Sequence, residues 1–304
     1  MTAAGNIEPP LSKPARREHV PLGIVYMLGA TIVFAASSAS SKWLLAAYPL
    51  GEVMFIRQVT SLAVCAVLIL PFTGLAVFHT QRLGGHGARG AIQATAQTFL
   101  MLAFATMPLA SAMAINFSSP LFATLLSALL LREAIGLARA MALLAGFCGV
   151  LIVTAPGADT FQIGALFAIA NAVLYGCIAT TVRGLSATET ADTLVMYQMV
   201  ALTILFTPLL LFGFTAPTLY DGIAMMLTGA GNAIGQYWWT RAISLAPTSA
   251  VTPFYYFALV WSMVLGFLVW GDVPNLGLII GSAIVVASGL FLLWRETSRK
   301  PVAT

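Results

Sequence analysis

The chain of 304 residues is 60% hydrophobic and 8% charged, with a formal net charge of +4 and a mean hydropathy of +0.93. A soluble domain carries about 25% charged residues, so 14 Lys+Arg and 10 Asp+Glu cannot coat a water-facing surface, and most of the exterior must face lipid. This excludes a secreted disulfide scaffold, a disordered chain and a nucleic-acid binder, because the few basic residues sit in short loops.

Crossing the hydrocarbon core takes about 20 apolar residues, and ten such stretches follow one another at 21–41, 51–72, 88–106, 109–131, 137–155, 162–183, 192–213, 221–244, 248–270 and 275–294. The runs are continuous rather than alternating, which excludes a strand barrel. Span one, with basic residues before it and the small stretch Ala35 to Ser40 inside it, imitates a signal peptide. A counterpart in mid-chain argues for its retention. Lys and Arg are kept in short cytoplasmic loops. Lys13, Arg16 and Arg17 precede span one, Arg82 and Arg89 lie before span three, and Arg132 and Arg139 flank the turn into span five. Arg183 and Arg241 end spans six and eight, and Arg295, Arg299 and Lys300 follow span ten. These are 12 of the 14 basic residues, all on one side, which puts both termini in the cytoplasm. Lys42 and Arg57 are the exceptions.

Offset by 139 residues, Gln97 pairs with Gln236, Pro108 with Pro247, Glu133 with Asp272 and Leu151 with Leu290. Small drifts carry the match upstream, to Gln58 with Gln198 and Lys42 with Arg183. The chain therefore divides into a tail at 1–19, repeats at 20–157 and 161–297, and a tail at 298–304. Five spans per repeat is an odd number, so the second repeat enters the membrane from the opposite side. The expected fold is an all-α membrane protein of ten transmembrane helices in two inverted five-helix repeats, the arrangement of secondary transporters.

Lys-Trp-Leu-Leu at 42–45, Arg57 in span two, Leu-Leu-Leu-Arg-Glu at 129–133 and its second copy Leu-Val-Trp-Gly-Asp at 268–272 resemble the EamA-type carriers of the drug/metabolite transporter superfamily. The likeness spans nearly the whole chain beyond its first twenty residues and implies a substrate-carrying helix basket. Within that superfamily the overall pattern is most similar to a bacterial amino-acid exporter. Asp272, where these carriers usually have Glu, departs from the pattern.

Polar side chains at membrane depth need a partner or a water-filled cavity. Gln93 and Gln97 lie one turn apart in span three, and Asn232 and Gln236 repeat them in span eight, followed by Trp239. Asn116 in span four has Tyr255 in span nine as its repeat mate, and span six adds Asn171 and Tyr175. These nine are the expected substrate-binding residues, with Gln97 and Gln236 as a symmetric clamp. The competing explanation is interhelical hydrogen bonding, about 0.6 kcal/mol per pair. Lys42, Glu52 and Arg57 are expected to form a gating or structural ion cluster at the outer rim, and Arg183 with Glu189 or Asp192 its inner counterpart.

Cys65, Cys148 and Cys177 read as packed free thiols, and His19, His79 and His86 lie outside the spans. No metal, cofactor or enzymatic chemistry is expected. The Gly-rich stretch 229–235 has dinucleotide-loop spacing wrong by one residue and no preceding strand. Gly277-x-x-x-Gly281 is a packing motif, within the bundle or between protomers, that leaves the oligomeric state open. The partners are then the lipid bilayer and a small molecule. The residues and the resemblance together point to a secondary transporter that moves a small polar or zwitterionic metabolite across a bacterial inner membrane by alternating access, with amino-acid export as the expectation. A carrier for a nucleoside-like compound, a vitamin or a drug is the first alternative, and a membrane enzyme or scaffold the second.

Overall fold

The structure, a computed structural model, describes residues 19–131, 137–154, 163–185, 188–246 and 248–298. Among these residues there are twelve α-helices, two short 3₁₀ segments and no strand. The helices are α1 (Val20–Leu45), α2 (Leu50–Thr73), α3 (Leu83–Thr106), α4 (Leu109–Asn116), α5 (Ser119–Leu131), α6 (Leu137–Thr154), α7 (Gly164–Leu185), α8 (Ala191–Phe206), α9 (Leu219–Leu245), α10 (Thr248–Tyr255), α11 (Phe257–Trp270) and α12 (Leu276–Ser298).

Six stretches are long and apolar enough to cross a membrane, namely Val20–Leu45, Leu50–Phe78, Leu109–Leu126, Ala191–Phe212, Pro253–Trp270 and Leu276–Arg295, and Ala140–Thr154 and Gly164–Ile178 are shorter apolar helices. Helices α3 and α9, with 24 and 27 residues, are long enough but too polar. They are the helices that carry Gln93 with Gln97 and Asn232 with Gln236, so their dilution marks residues turned toward the bundle interior. The outer faces are apolar instead. Phe72 is 88% exposed and Leu211 87%, which only a lipid surround makes favourable.

Packing repeats between the two halves. Helix α1 runs along α9 as α7 runs along α3, α2 crosses α9 as α8 crosses α3, and α11 lies on α1 as α5 lies on α7. Helices α6 and α12 pair with each other through glycines: a Cβ on Gly149 would come 2.9 Å from the Gly281 carbonyl oxygen, and one on Gly281 would come 2.7 Å from that of Gly149. Gly281 thus works inside the bundle, as small residues do where lipid-embedded helices touch.

Spans four and nine, expected as continuous helices, are each broken. Helices α4 and α10 are both eight residues long, and their first and last residues match at the repeat offset. Each follows an extended residue, Met107 (φ −150°, ψ 167°) or Ala246 (φ −145°, ψ 158°), because the proline after it disfavours a helical conformation there. At the first break the hydroxyl of Ser118 donates to the Ile115 carbonyl at 2.6 Å and that of Ser119 to the Asn116 carbonyl. At the second, Pro253 has no N–H to give the helix ladder. Continuous hydropathy conceals both breaks, since the residues around them are as apolar as the helices.

Three further expectations are corrected. Arg89, counted as a loop residue, lies inside α3 and is 8% exposed. Cys148 is exposed on the outer surface rather than packed. The span ending at 213 gives way after Phe206 to a 3₁₀ segment with Pro208 in its first turn. Glu133, the tails at 1–18 and 299–304 and the side chain of Arg183 lie outside the described residues.

Candidate functional site

The two breaks place Asn116 at the end of α4 and Tyr255 at the end of α10, and α7 supplies the groups between them. Asn171 donates through Nδ2 to Asn116 Oδ1 at 2.7 Å. One turn along α7, Tyr175 accepts a hydrogen bond from Gln93 Nε2 at 3.0 Å. Helices α3 and α7 are antiparallel, so Gln97, one turn beyond Gln93, comes level with Asn171. Gln97 Oε1 and Asn171 Oδ1 are both buried without a hydrogen-bond partner.

Aromatic rings wall this polar layer. Tyr255 meets Phe117 edge-on at 5.4 Å and Phe34 at 6.4 Å, and Phe117 also lies 5.2 Å from Tyr256. Tyr175 is within electrostatic range of Tyr255 and of two guanidinium groups, Arg57 of α2 and Arg89 of α3. Arg89 is anchored on α8, donating to the Leu194 carbonyl at 2.8 Å and to Gln198 Oε1 at 2.5 Å. Arg57 is 4% exposed, and its Nε and Nη2 are buried without partners.

The expected residues divide into two groups. Gln93, Gln97, Asn116, Asn171, Tyr175 and Tyr255 belong to this layer. Asn232 instead turns to α2, with Nδ2 3.4 Å from Ser61 Oγ. Gln236 lines a separate cavity of about 390 Å³ between α2, α8 and α9, together with Cys65, Phe72, Asp192 and Arg241. Trp239 packs beside Met27 of α1 and Val251 of α10. Gln97 and Gln236 have different neighbours in this structure, and their expected clamp on the substrate stays a proposal.

The rim cluster is not formed. Lys42 Nζ donates to the Phe104 carbonyl at 3.1 Å and the Met107 carbonyl at 2.6 Å, at the end of α3, and lies 5.4 Å from the Trp270 ring. Exposed carbonyls at a helix C-terminus attract a cation, and α3 outcompetes a carboxylate held elsewhere. Glu52 is fully buried and accepts the Thr215 backbone N–H at 2.9 Å. Beside it Tyr48 donates to Asp221 at 2.6 Å. These contacts sew the ends of α1, α2, α3, α9 and α11 together. At the opposite end, His86 stacks on Tyr197 at 4.3 Å, its Nε2 4.0 Å from Glu189 Oε1. Glu189 also accepts from Thr80 Oγ1 at 2.6 Å. Among the described residues no three His, Cys, Asp or Glu side chains group as a metal site.

A bundle of apolar helices with duplicated packing, a buried polar layer and two sewn ends is the build of a carrier. The profile of the EamA-like transporter family matches residues 21–155 and again 162–294. The chain belongs to the EamA-like transporter family. It is therefore a multi-pass membrane transporter of a small metabolite and not an enzyme. A riboflavin transporter of Vibrio cholerae is 31% identical over 93% of this chain and 96% of its own. An S-adenosylmethionine uptake transporter of Rickettsia bellii is 23% identical over 90% of this chain and 94% of its own. A crystal structure of another protein matches with a TM-score of 0.59 at 23% identity, covering 91% of this chain and 98% of that one, a likeness of fold alone.

Residues of this EamA-like transporter that sequence reasoning passed over include Arg89, Gln198, Phe34 and Phe117. Arg89 was visible in principle: Arg89, Gln93 and Gln97 fall on one helical face at successive i,i+4 steps. Phe117 carried no signal, since an aromatic in an apolar run reads as lipid-facing.

Proposed function

We propose that this chain is a secondary carrier of riboflavin or a vitamin of similar build, working by alternating access across a bacterial inner membrane. The observation that carries this reading is the similarity to the riboflavin transporter, which runs through nearly the whole of both chains. The polar layer supports it: amides of Gln93, Gln97, Asn116 and Asn171 suit the hydrogen-bonding edge of a flat heterocycle, and Phe117 and Tyr255 suit its faces. The amino-acid reading is less well supported, because the relatives named above carry a vitamin and a nucleoside-bearing cofactor. S-adenosylmethionine is the second reading, favoured by the Rickettsia relative.

The proposal includes ten transmembrane helices as two inverted repeats, 20–157 and 161–297, with α4–α5 and α10–α11 each forming one broken span. Both termini are cytoplasmic. Broken helices in corresponding positions of two repeats are where carriers of this kind place their substrates. Expression in a riboflavin-auxotrophic bacterium lacking its own importer tests the substrate. Growth should be rescued at low external riboflavin. Failure of rescue by a membrane-inserted protein, with S-adenosylmethionine or amino-acid flux in its place, overturns the riboflavin reading.

A further inference from the structure

Arg57 is the feature that the bundle itself leaves incomplete. Its guanidinium is 4% exposed, and Nε and Nη2 are buried without an acceptor. An uncompensated buried charge costs several kcal/mol, and at membrane depth water is a poor substitute. Glu52, five residues earlier on α2, accepts the Thr215 N–H through Oε2, and its unpartnered Oε1 makes no ion pair with Arg57. Arg89, the other cation near Tyr175, donates through both Nη atoms to α8 and leaves only Nε without an acceptor. Arg57 thus has two guanidinium nitrogens without an acceptor where Arg89 has one.

Two amide oxygens of the polar layer complete the pattern. Gln97 Oε1 and Asn171 Oδ1 are buried and unpartnered. Both stand one turn from the Gln93–Tyr175 pair that Arg57 faces electrostatically. The layer therefore offers a planar, cationic donor fork and bare amide oxygens. A ligand satisfies both only if it presents oxygens for the fork and an adjacent N–H for the amides.

We propose that Arg57, Gln97 and Asn171 form a subsite for a substrate edge on which carbonyl or carboxylate oxygens stand beside an N–H. Two sources share that chemistry: the imide edge of a riboflavin-like ring, and the amino and carboxylate groups of an amino-acid moiety such as that of S-adenosylmethionine. The inference rests on the carrier reading above but not on which of these two is carried.

Equilibrium binding to the full chain in lipid nanodiscs tests it, with four probes: riboflavin, riboflavin methylated at the imide nitrogen, S-adenosylmethionine and its decarboxylated form. Whichever parent binds, its blocked form should bind the wild type at least about 30-fold more weakly, the range for losing a charged hydrogen bond. Arg57→Gln should weaken S-adenosylmethionine by a similar factor and its decarboxylated form by less than about 3-fold, and Gln97→Leu should do the same for riboflavin and its methylated form, because each variant removes the partner of the group that the blocked probe lacks. Arg57→Lys should fall between, keeping the charge without the fork. If Arg57→Gln does not reach the membrane folded, Gln97→Leu reads the same edge.

Equal losses for parent and blocked probe, or a folded Arg57→Gln variant that binds like the wild type, overturn the subsite and leave the riboflavin reading standing. Edge-dependent binding of S-adenosylmethionine without riboflavin overturns the riboflavin reading and leaves the subsite standing. A wild-type protein that binds none of the four overturns both.

Discussion

Replacing Lys42 with Met should unsew one end of the transporter. The substitution keeps the length and apolar stem of the side chain but removes donors at 3.1 and 2.6 Å from the Phe104 and Met107 carbonyls and a cation 5.4 Å from the Trp270 ring. Hydrogen bonds to a charged group contribute about 1.5–3 kcal/mol each, and the cation–π contact about 0.5–2 kcal/mol. Against these stand partial desolvation of the ammonium and side-chain ordering of about 2 kcal/mol. The net bias toward the sewn state is then about 2–3 kcal/mol, or roughly 30- to 150-fold in the ratio of open to closed protein. Ala103, fully buried on the last turn of α3, reports that opening. With Cys65, Cys148 and Cys177 replaced and Ala103→Cys introduced, an impermeant maleimide should label the Lys42→Met protein about 30-fold faster than the Lys42 protein. An unchanged labelling rate, with or without a lower melting temperature, would refute the reasoning and leave Lys42 a static helix cap.

Other outcomes follow from the same geometry. Gln97→Leu should abolish most substrate flux, whereas Gln236→Leu, outside the polar layer, should reduce it only a few-fold; equal losses in a flux assay would favour the symmetric clamp instead. Asn171→Leu strands Asn116 Oδ1 at the break of α4 and should destabilise the folded protein by about 1–3 kcal/mol, read as a lower melting temperature, with flux lost as well. His86 is held below its usual value near 6.5, first by desolvation and then by Arg89, with Glu189 opposing. Because the folded value lies below the unfolded one, its stabilisation is complete above about 6.5 and is lost as pH falls below it. The melting temperature should therefore drop between pH 7 and 5, and less steeply in His86→Phe. Glu52 is the one described carboxylate that is fully buried, and it is tied to Thr215. An imposed pH gradient should accordingly drive no uphill accumulation in proteoliposomes; accumulation that disappears in Glu52→Gln would make it a proton carrier.

What the chain discloses and what it conceals follow a physical division. Helix positions were readable because lipid demands long apolar runs, and the repeat offset tied Asn116 to Tyr255 before either was seen to end a helix. The breaks themselves were not readable, since the hydroxyls that satisfy Ile115 and Asn116 come from serines that also occur in unbroken spans. Depth was misjudged for cations. Arg57 and Arg89 were assigned to a rim and a loop by their distance from span ends, but both sit within helices and are buried in the bundle. The neighbours of Asn232 and Gln236 were not readable, because equal sequence offsets fix equal places on two helices and not equal neighbours. Helix α9 turns these residues toward α2 and α8, while α3 turns Gln93 toward α7.

Counterflow in proteoliposomes tests the carrier account most directly. Vesicles holding the purified full chain and loaded with unlabelled riboflavin should take up labelled riboflavin from outside in a transient overshoot, and vesicles holding Asn171→Leu should not. Label entry no faster than into protein-free vesicles, from a preparation that exchanges an amino acid or S-adenosylmethionine in the same assay, would contradict it.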